Sequence, residues 1–354
     1  MNEHRSALSR KELADLLLEK TPHGTMTFAL IADSHLSDSR DHTCESIRYL
    51  DEHLHYRCMV HLGDILCGNV PDLVSRRLLR DELSAYRAAI KNRNLLVVQG
   101  NHDGFCDENY RDGVYPQHDI AIDETWYEAT CFMDRDCNVQ RCGNKPYFYV
   151  DFPDERLRMI ALSTCWYELD RDQRVYRKHY GIDEKQLCWL AGTALKMPEE
   201  EWNVLVLSHC PALDTGYAGY DSVSHHGGSE AISLLNTFRD GGSVLIGEEQ
   251  LKQVFEPCGH HVLAWCCGYW HGDMVQEQNG ITFIGEPSVL CNVPRTIDHP
   301  LGWVSFPQPR IEQTCTEDAW DTVVWDREQQ ILHFIRFGAG ENRKVRQYVM
   351  TSHL

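Results

Sequence analysis

The chain has 354 residues, of which 42% are hydrophobic and 25% are charged. These values are typical of a folded globular protein and exclude a chain that is disordered throughout. Its formal charge is −19, from 34 basic and 53 acidic residues. Because so acidic a chain repels phosphate backbones, we expect no long nucleic acid among its partners.

The amino-terminal segment and the cysteines both favour a cytoplasmic protein. Residues 1–20 have an amphipathic helical pattern, without the apolar core or the cleavage site of a signal peptide. No apolar run has the length that a bilayer requires, so we expect no association with a membrane. The 15 cysteines are odd in number and contain no Cys-x-x-Cys pair. We therefore expect most of them to be reduced and buried.

The first hundred residues alternate between short apolar runs and helical patterns, which predicts an α/β fold with parallel strands. The predicted elements are a strand over Thr27–Asp33, a helix near Cys44–His55, a strand near Cys58–Asp64, a helix over Pro71–Ile90 and a strand over Asn94–Gln99. A polar cluster follows each strand, namely Asp33-Ser-His35, Gly63-Asp64 and Gly100-Asn-His-Asp103. Because the carboxyl ends of parallel strands meet at one edge of a sheet, we expect these clusters to lie together.

The rest of the chain is predicted to add strands and two inserted loops, over about 104–145 and 212–245. The remaining predicted elements are strands at Pro146–Phe152, Arg158–Ser163, Asn203–Ser208 and Val262–Cys267, helices at Asp183–Leu195 and Gly247–Phe255, and a hairpin over Asp318–Phe337. We expect residues 1–25 to form a helical extension. Residues 26–354 are then expected to form a single domain that ends in the C-terminal β-hairpin.

The order of the polar clusters resembles that of a known family. After the three clusters come Ser208-His209 and Gly268-x-x-His271, each directly following an apolar strand. This order resembles the calcineurin-like metallophosphoesterases, whose motifs run D-x-H, G-D, G-N-H-D/E, H and G-H-x-H. The resemblance extends over about residues 26–286. It implies a four-layer α/β/β/α sandwich.

The resemblance also implies a site for two divalent metal ions at the edge where the loops meet. The implied ligands are Asp33, His35 and His271 for the first ion, Asn101 and His209 for the second, and Asp64 as a bridge between the two. Carboxylate, imidazole and amide donors suit Mn, Fe, Zn or Mg better than an all-thiolate site would. The sequence does not choose among these metals.

The implied reaction is hydrolysis of a phosphate ester of a small molecule by attack of a metal-bound hydroxide. Phosphodiester and phosphomonoester substrates both remain open, as does the oligomeric state. His102 would contact the phosphate and protonate or stabilise the leaving oxygen. Asp103 would orient His102 or cap the following turn, and we favour the structural role.

Tyr269 departs from the family pattern, which has a histidine ligand of the second metal at this position. Three interpretations are open: Tyr269 coordinates the metal, the second site is weaker and is completed by water, or another histidine takes over. We favour the weaker site. The candidate histidines are His225, His226, His260 and His261, of which the last two precede a strand and so belong to the wrong end of the sheet.

An alternative function follows from the same departure. A chain that has lost part of its second metal site would be a non-catalytic scaffold or binding protein that keeps the fold. Retention of His102 argues against this alternative, because that residue has no ligand role in the implied scheme.

Overall fold

The computed structural model of the chain describes residues 7–67, 72–91, 93–103, 123–169, 175–213, 226–247, 251–290 and 302–346. The helices are α1 Arg10–Lys20, α2 Arg40–Leu54, α3 Asp72–Ala89, α4 Asp123–Thr130, α5 Phe132–Asp136, α6 Glu184–Trp189 and α7 Gly228–Asp240. The strands are β1 Met26–Ile31, β2 Cys58–His61, β3 Asn94–Val97, β4 Gln140–Arg141, β5 Phe148–Phe152, β6 Leu157–Ala161, β7 Cys165–Leu169, β8 Val175–Tyr180, β9 Asn203–Ser208, β10 Gly242–Ile246, β11 Leu251–Phe255, β12 His261–Cys267, β13 Met274–Gln278, β14 Ile281–Gly285, β15 Ala319–Asp326, β16 Ile331–Gly338 and β17 Arg343–Arg346.

Two large sheets contain most of these strands. The first sheet has the strand order β17-β16-β15-β1-β2-β3, and β1, β2 and β3 run parallel as predicted. The C-terminal hairpin is formed by β15 and β16, and β15 pairs antiparallel with β1. The second sheet has the order β13-β14-β12-β9-β6-β5-β4, with β6, β9, β12 and β14 parallel. All the parallel strands end in loops, and such loops are where open α/β sheets carry their sites.

The burial pattern of β9 shows how the layers are stacked. Leu205 and Leu207 belong to the core that the second sheet shares with the first, whereas Val204 and Val206 belong to a second core that includes α6 and α7. Alternate side chains of a strand point to opposite faces, so this sheet is covered on both sides. Helices α1, α2 and α3 pack into the core of the first sheet. The fold is the four-layer α/β/β/α sandwich that the sequence predicts.

Helix α1 begins with a capping box, in which Ser9 and Glu12 bind each other's backbone N–H groups. Its residues Leu13, Ala14 and Leu17 are buried in the core of the first sheet. None of the described helices combines the length and the apolar character that crossing a membrane requires.

The prediction of a helix over Gly247–Phe255 is wrong, because residues 251–255 form β11 and pair antiparallel with β10. The spacing of Leu251, Val254 and Phe255 suits one helix turn, but a short apolar run also suits a strand. Within the predicted inserted loop over 212–245, residues 228–240 form α7, with Ile232, Leu235 and Phe238 buried. Residues 104–122 of the other predicted loop lie outside the described part, and residues 123–136 of it form α4 and α5.

Candidate metal centre

The loops after β1, β2 and β12 bring together four of the predicted ligands. One donor atom from each of them lies within 4.8 Å of the others, in the group Asp33, His35, Asp64 and His271. The Nε2 atoms of His35 and His271 are 3.2 Å apart. Nε2 of His271 lies 3.3 Å from a carboxylate oxygen of Asp33. This group corresponds to the ligands predicted for the first ion, together with the predicted bridge.

Of the other two predicted ligands, His209 contacts the same carboxylate and Asn101 contacts His209. Nε2 of His209 lies 3.1 Å from Oδ2 of Asp64 and 2.8 Å from Oδ1 of Asn101. The same Oδ2 of Asp64 lies 3.8 Å from Nε2 of His35. Asp64 therefore contacts both groups, which is the position that a bridging ligand requires.

Two glycines allow the loops to approach so closely. A Cβ atom on Gly100 would lie 2.1 Å from the backbone nitrogen of Asp64. Gly63 has φ +96°, in the left-handed region that glycine adopts readily, and a Cβ there would lie 2.7 Å from Gly100. Larger residues at these positions would push the loop of Asp64 away from that of Asn101.

Several site residues have backbone conformations that side-chain-bearing residues seldom adopt. Their φ angles are positive, with Asp33 at 52°, His35 at 45°, Asp64 at 53°, Tyr269 at 74° and His271 at 56°. Such conformations cluster at functional sites, where the surrounding structure holds them in place. The loops at the ends of three strands are thus shaped to direct side chains at one point.

The orientation of two histidines tests whether the residues fit a metal. Nδ1 of His35 lies 3.1 Å from the carbonyl oxygen of Leu66, and Nδ1 of His209 lies 2.8 Å from that of Leu62. A carbonyl oxygen only accepts hydrogen bonds, so each Nδ1 donates its proton. When the imidazoles are neutral, the lone pairs of Nε2 of His209 and His35 lie 3.1 and 3.8 Å from Oδ2 of Asp64. Two acceptors face each other in this way only when a proton or a metal cation lies between them, and the residues therefore fit a metal.

The charges of the site support the same assignment. Burial alone would raise the pKa of Asp33 and Asp64, but the neighbouring histidines outweigh it and hold both pKa values below their usual range. Burial would lower the pKa of His209, but Asp64 and Asp33 outweigh it and raise that pKa to about 10. The concentrated negative charge that holds a proton on His209 would equally attract a divalent cation.

His102 and Asp103 follow Asn101 and have different surroundings. The backbone N–H of His102 donates to Oδ1 of Asp64 at 2.7 Å, and its Nδ1 donates to the carbonyl oxygen of Cys67 at 3.2 Å. Its side chain is 24% exposed, so the imidazole lies at the rim of the site. The carboxylate of Asp103 is fully buried and accepts backbone N–H groups from the loop of Asp64 and from Gly100. These contacts favour the structural role for Asp103.

Tyr269 lies beside the second group of ligands. Its ring packs edge-on against the ring of His209, with the centroids 5.7 Å apart, and against that of Tyr180 at 5.8 Å. Its backbone N–H donates to both carboxylate oxygens of Asp33 at 3.2 Å.

The histidines named as substitutes for the missing ligand lie elsewhere or outside the described residues. His260 stacks on Phe238 and accepts the backbone N–H of Trp202, while His261 begins β12 at the end opposite to His271. His226 lies beside Gly181, near the amino end of α7, and is not among the four grouped ligands. His225 lies outside the described part of the chain.

Sequence reasoning missed the residues that support the ligands from behind. Ser288 donates to the carbonyl oxygen of Asp33 at 2.7 Å, and the thiol of Cys67 donates to that of His35 at 2.7 Å. Buried His61 contacts the hydroxyl of Ser34 at 3.0 Å. No motif marks these residues, because each acts through a backbone contact or an adjacent side chain.

Comparison with known proteins agrees with this geometry. The sequence model of the calcineurin-like phosphoesterases matches residues 26–268, which is more than half of the chain. The chain belongs to the calcineurin-like phosphoesterase family. It is therefore a hydrolase that acts on phosphate esters and depends on metal. The match ends at residue 268, before His271, so the assignment of His271 to the site depends on the geometry of the site.

Comparison with solved structures supports the fold through one neighbour with a TM-score above 0.5. A dimetal phosphatase from Danio rerio is 15% identical, with a TM-score of 0.57, over 92% of this chain and 100% of that one. GAP50, the anchor in the inner membrane complex of Plasmodium, is 12% identical with a TM-score of 0.47, over 92% of this chain and 90% of that one. Phosphopantetheinyl hydrolase from Mycobacterium tuberculosis is 11% identical with a TM-score of 0.35, over 80% and 97%. No curated protein matches the chain.

Proposed function

We propose that the chain hydrolyses a phosphate ester of a small molecule with the help of two divalent cations. The cations would be held by the side chains predicted from the sequence: Asp33, His35, Asp64, Asn101, His209 and His271. The observation that carries this proposal is the position of Asp64, whose Oδ2 lies 3.1 Å from His209 and 3.8 Å from His35. One carboxylate thus joins both groups of ligands.

Divalent cations bound there would activate a water molecule as the nucleophile and neutralise charge on the phosphate oxygens. The residues of the chain would supply the remaining steps. The backbone N–H of His102 fixes one oxygen of Asp64 and leaves the other directed at the histidines. Because Nδ1 of His102 donates to a carbonyl oxygen, its Nε2 is the atom that would carry a proton to the leaving oxygen.

We propose further that the second cation is bound more weakly than the first. All six of these ligands supply oxygen or nitrogen donors in the family's order, but the position of a seventh, a histidine in the family pattern, is taken by Tyr269. Its ring packs edge-on against His209. Neutral phenol is a poor ligand for a divalent ion, since its ordinary pKa is about 10. Water would complete the second site.

The small size of the substrate is inferred from charge. With a formal charge of −19, the chain would repel a polymeric phosphate backbone, whereas bound cations reverse the potential locally for a small ester. Relative rates on bis(4-nitrophenyl) phosphate and 4-nitrophenyl phosphate would separate a diesterase from a monoesterase. Equal or faster cleavage of a polymeric substrate would contradict the inference on size.

Domain organisation and location complete the proposal. We propose that residues 26–354 form one domain, supported by the pairing of β15 with β1, and that residues 1–25 extend it. A stable fragment released by limited proteolysis within 26–354 would contradict the single domain. The cysteine usage supports a cytoplasmic protein, and no disulfide joins the cysteines in the described part of the chain. Recovery of the native protein from a membrane or secreted fraction would contradict that location.

The experiment that tests the activity compares the wild type with Asp64→Ala. We expect purified wild type to bind about two metals per chain and to cleave an aryl phosphate ester in Mn²⁺. Loss of the bridging ligand should lower that rate at least about 10³-fold and reduce the metal content. Wild-type protein that binds no metal and cleaves neither ester would instead support the non-catalytic scaffold.

A further inference from the structure

We propose that Arg336 is a positioning residue that fixes the loop of His271 and thereby sets the affinity of the site for its first cation. The inference rests on the proposed metal site and adds to it a residue that no motif marks. Arg336 lies in β16 of the first sheet, and its side chain is fully buried. Its partner, Asp273, lies two residues after His271.

The loop over 268–273 needs an external constraint. Tyr269 and His271 have φ angles of 74° and 56°, which residues with side chains adopt only at a cost in free energy. Such conformations persist when contacts on both sides determine them. At the start of the loop, Gly268 donates to the carbonyl oxygen of His209 at 3.1 Å, and Tyr269 donates to the carboxylate of Asp33.

The other end of the loop is held at Asp273. Its backbone exchanges two hydrogen bonds with Ser305, at 2.7 and 3.0 Å. Its carboxylate accepts Nη1 and Nη2 of Arg336, at 3.2 and 2.7 Å. The planar guanidinium binds both oxygens, so it fixes the direction of the carboxylate as well as its distance.

Arg336 is itself held in place. Its Nε and Nη2 donate to the two carboxylate oxygens of Asp321 in β15, at 2.9 and 3.2 Å. Arg336 therefore connects β15 of the first sheet with the loop after β12 of the second. The loops of the first sheet supply four of the six proposed metal ligands and those of the second sheet supply His209 and His271, so this connection fixes one set against the other.

The surrounding charges are balanced within the protein. Arg343 contacts Asp273, Asp321 and Glu286, and the five residues Asp273, Glu286, Asp321, Arg336 and Arg343 are called the arginine cluster below. Burial and the neighbouring Asp321 hold the pKa of Glu286 well above its usual range, which favours the neutral form of this residue. Two guanidinium groups then face two carboxylates.

Stability alone does not account for such a cluster. Replacement of a buried ion pair by apolar residues of similar volume is often neutral or stabilising, because desolvation offsets the attraction of the charges. Paired ions fix the orientation of their side chains, which apolar residues do not. Side chains that orient metal ligands from behind typically change metal affinity by about 10- to 100-fold when they are replaced.

Arg336→Lys tests the inference, because it keeps the positive charge but removes the planar guanidinium group that binds both carboxylate oxygens of Asp273. We expect the dissociation constant of the tighter Mn²⁺ site, measured by calorimetry on metal-stripped protein, to rise about ten-fold. The spectrum of bound Mn²⁺ in electron paramagnetic resonance should also change. Asp273→Asn provides a second test that leaves the arginine in place, and it should weaken the same site.

Arg158→Lys is the matched control. Arg158 is also buried and binds both oxygens of a carboxylate, that of Asp151, at 2.6 and 2.7 Å. It lies at the amino end of β6, opposite to the metal ligands, so its replacement should lower stability with less than a two-fold effect on Mn²⁺ affinity. Equal affinity in wild type, Arg336→Lys and Asp273→Asn would overturn the inference, as would equal losses in Arg158→Lys. Absence of Mn²⁺ binding by wild type would instead reject the metal site itself.

Discussion

Two clusters of buried charge lie on either side of the loop that carries His271, and they differ in where their positive charge comes from. The arginine cluster contains two guanidinium groups that are always charged, and they neutralise its ionised carboxylates. In the metal centre the only side chains that can carry positive charge are histidines, and two of these direct lone pairs at Asp64 when they are neutral. The charge of the arginine cluster is therefore balanced within the protein. The charge of the metal centre is balanced only when a proton or a metal cation is bound.

The difference indicates which cluster is a scaffold and which is a site. A cluster whose carboxylates are already neutralised by permanent cations has a fixed geometry and does not attract a further cation. A cluster of carboxylates and imidazoles has donor atoms that converge on one point, within 4.8 Å of one another. The first should respond to mutation mainly through stability and positioning, and the second through the binding of metal.

The largest expected effect on stability comes from removing an arginine of the arginine cluster. Arg336→Met leaves Asp273 and Asp321 facing each other with one guanidinium group fewer, and loss of one partner of a buried pair typically costs about 3 kcal/mol or more. Urea unfolding in the presence of a chelator should show this decrease in the free energy of unfolding. Glu286→Gln, which replaces an acid whose pKa is held well above its usual range, should change the free energy of unfolding much less. Equal effects of the two substitutions would contradict the charge balance of the arginine cluster.

Metal bound at the metal centre should raise the free energy of unfolding by a similar amount. Mn²⁺ at 100 times its dissociation constant should raise the free energy of unfolding by about 2.7 kcal/mol. Asp33→Asn removes a ligand and should abolish most of this increase, whereas Glu286→Gln should retain it. If Mn²⁺ stabilised Asp33→Asn as strongly as the wild type, the proposed difference between the two clusters would be contradicted.

The smallest effect is expected at the position that departs from the family pattern. Tyr269→His restores an imidazole beside His209 and should tighten the weaker metal site about ten-fold, or about 1.4 kcal/mol, by adding one ligand. Calorimetric titration with Mn²⁺ should show this change in the second binding event and little change in the first. An unchanged second event would contradict the weaker site and favour direct coordination by Tyr269.

The sequence predicted which polar clusters lie together better than it predicted the elements around them, and the reason is physical. Asp33 and Asp64 each follow a buried strand of the first sheet, so the rule that parallel strands end at one edge was enough to bring them together. His209 follows β9 of the second sheet, and the packing of the two sheets brings it to Asp64. The fold class followed from the same alternation of strands and helices.

Local patterns failed where distant pairing decides the structure. Leu251, Val254 and Phe255 have helical spacing, but pairing with β10 makes the segment a strand. Helix α7 begins after Gly227 in a glycine-rich stretch, and its apolar face at Ile232, Leu235 and Phe238 is buried against the second sheet. Arg336 could not be linked to Asp273 from the sequence either, because 63 residues separate them.

The central claim is that the loops of both sheets converge to hold two cations on Asp64. A crystal of the protein soaked in Mn²⁺ tests it through anomalous scattering at the manganese edge. We expect two peaks about 3.5–4 Å apart, one on each side of Asp64, with the peak beside His209 of lower occupancy. A map without a peak at Asp64, or with His209 and His271 directed away from it, would contradict the claim.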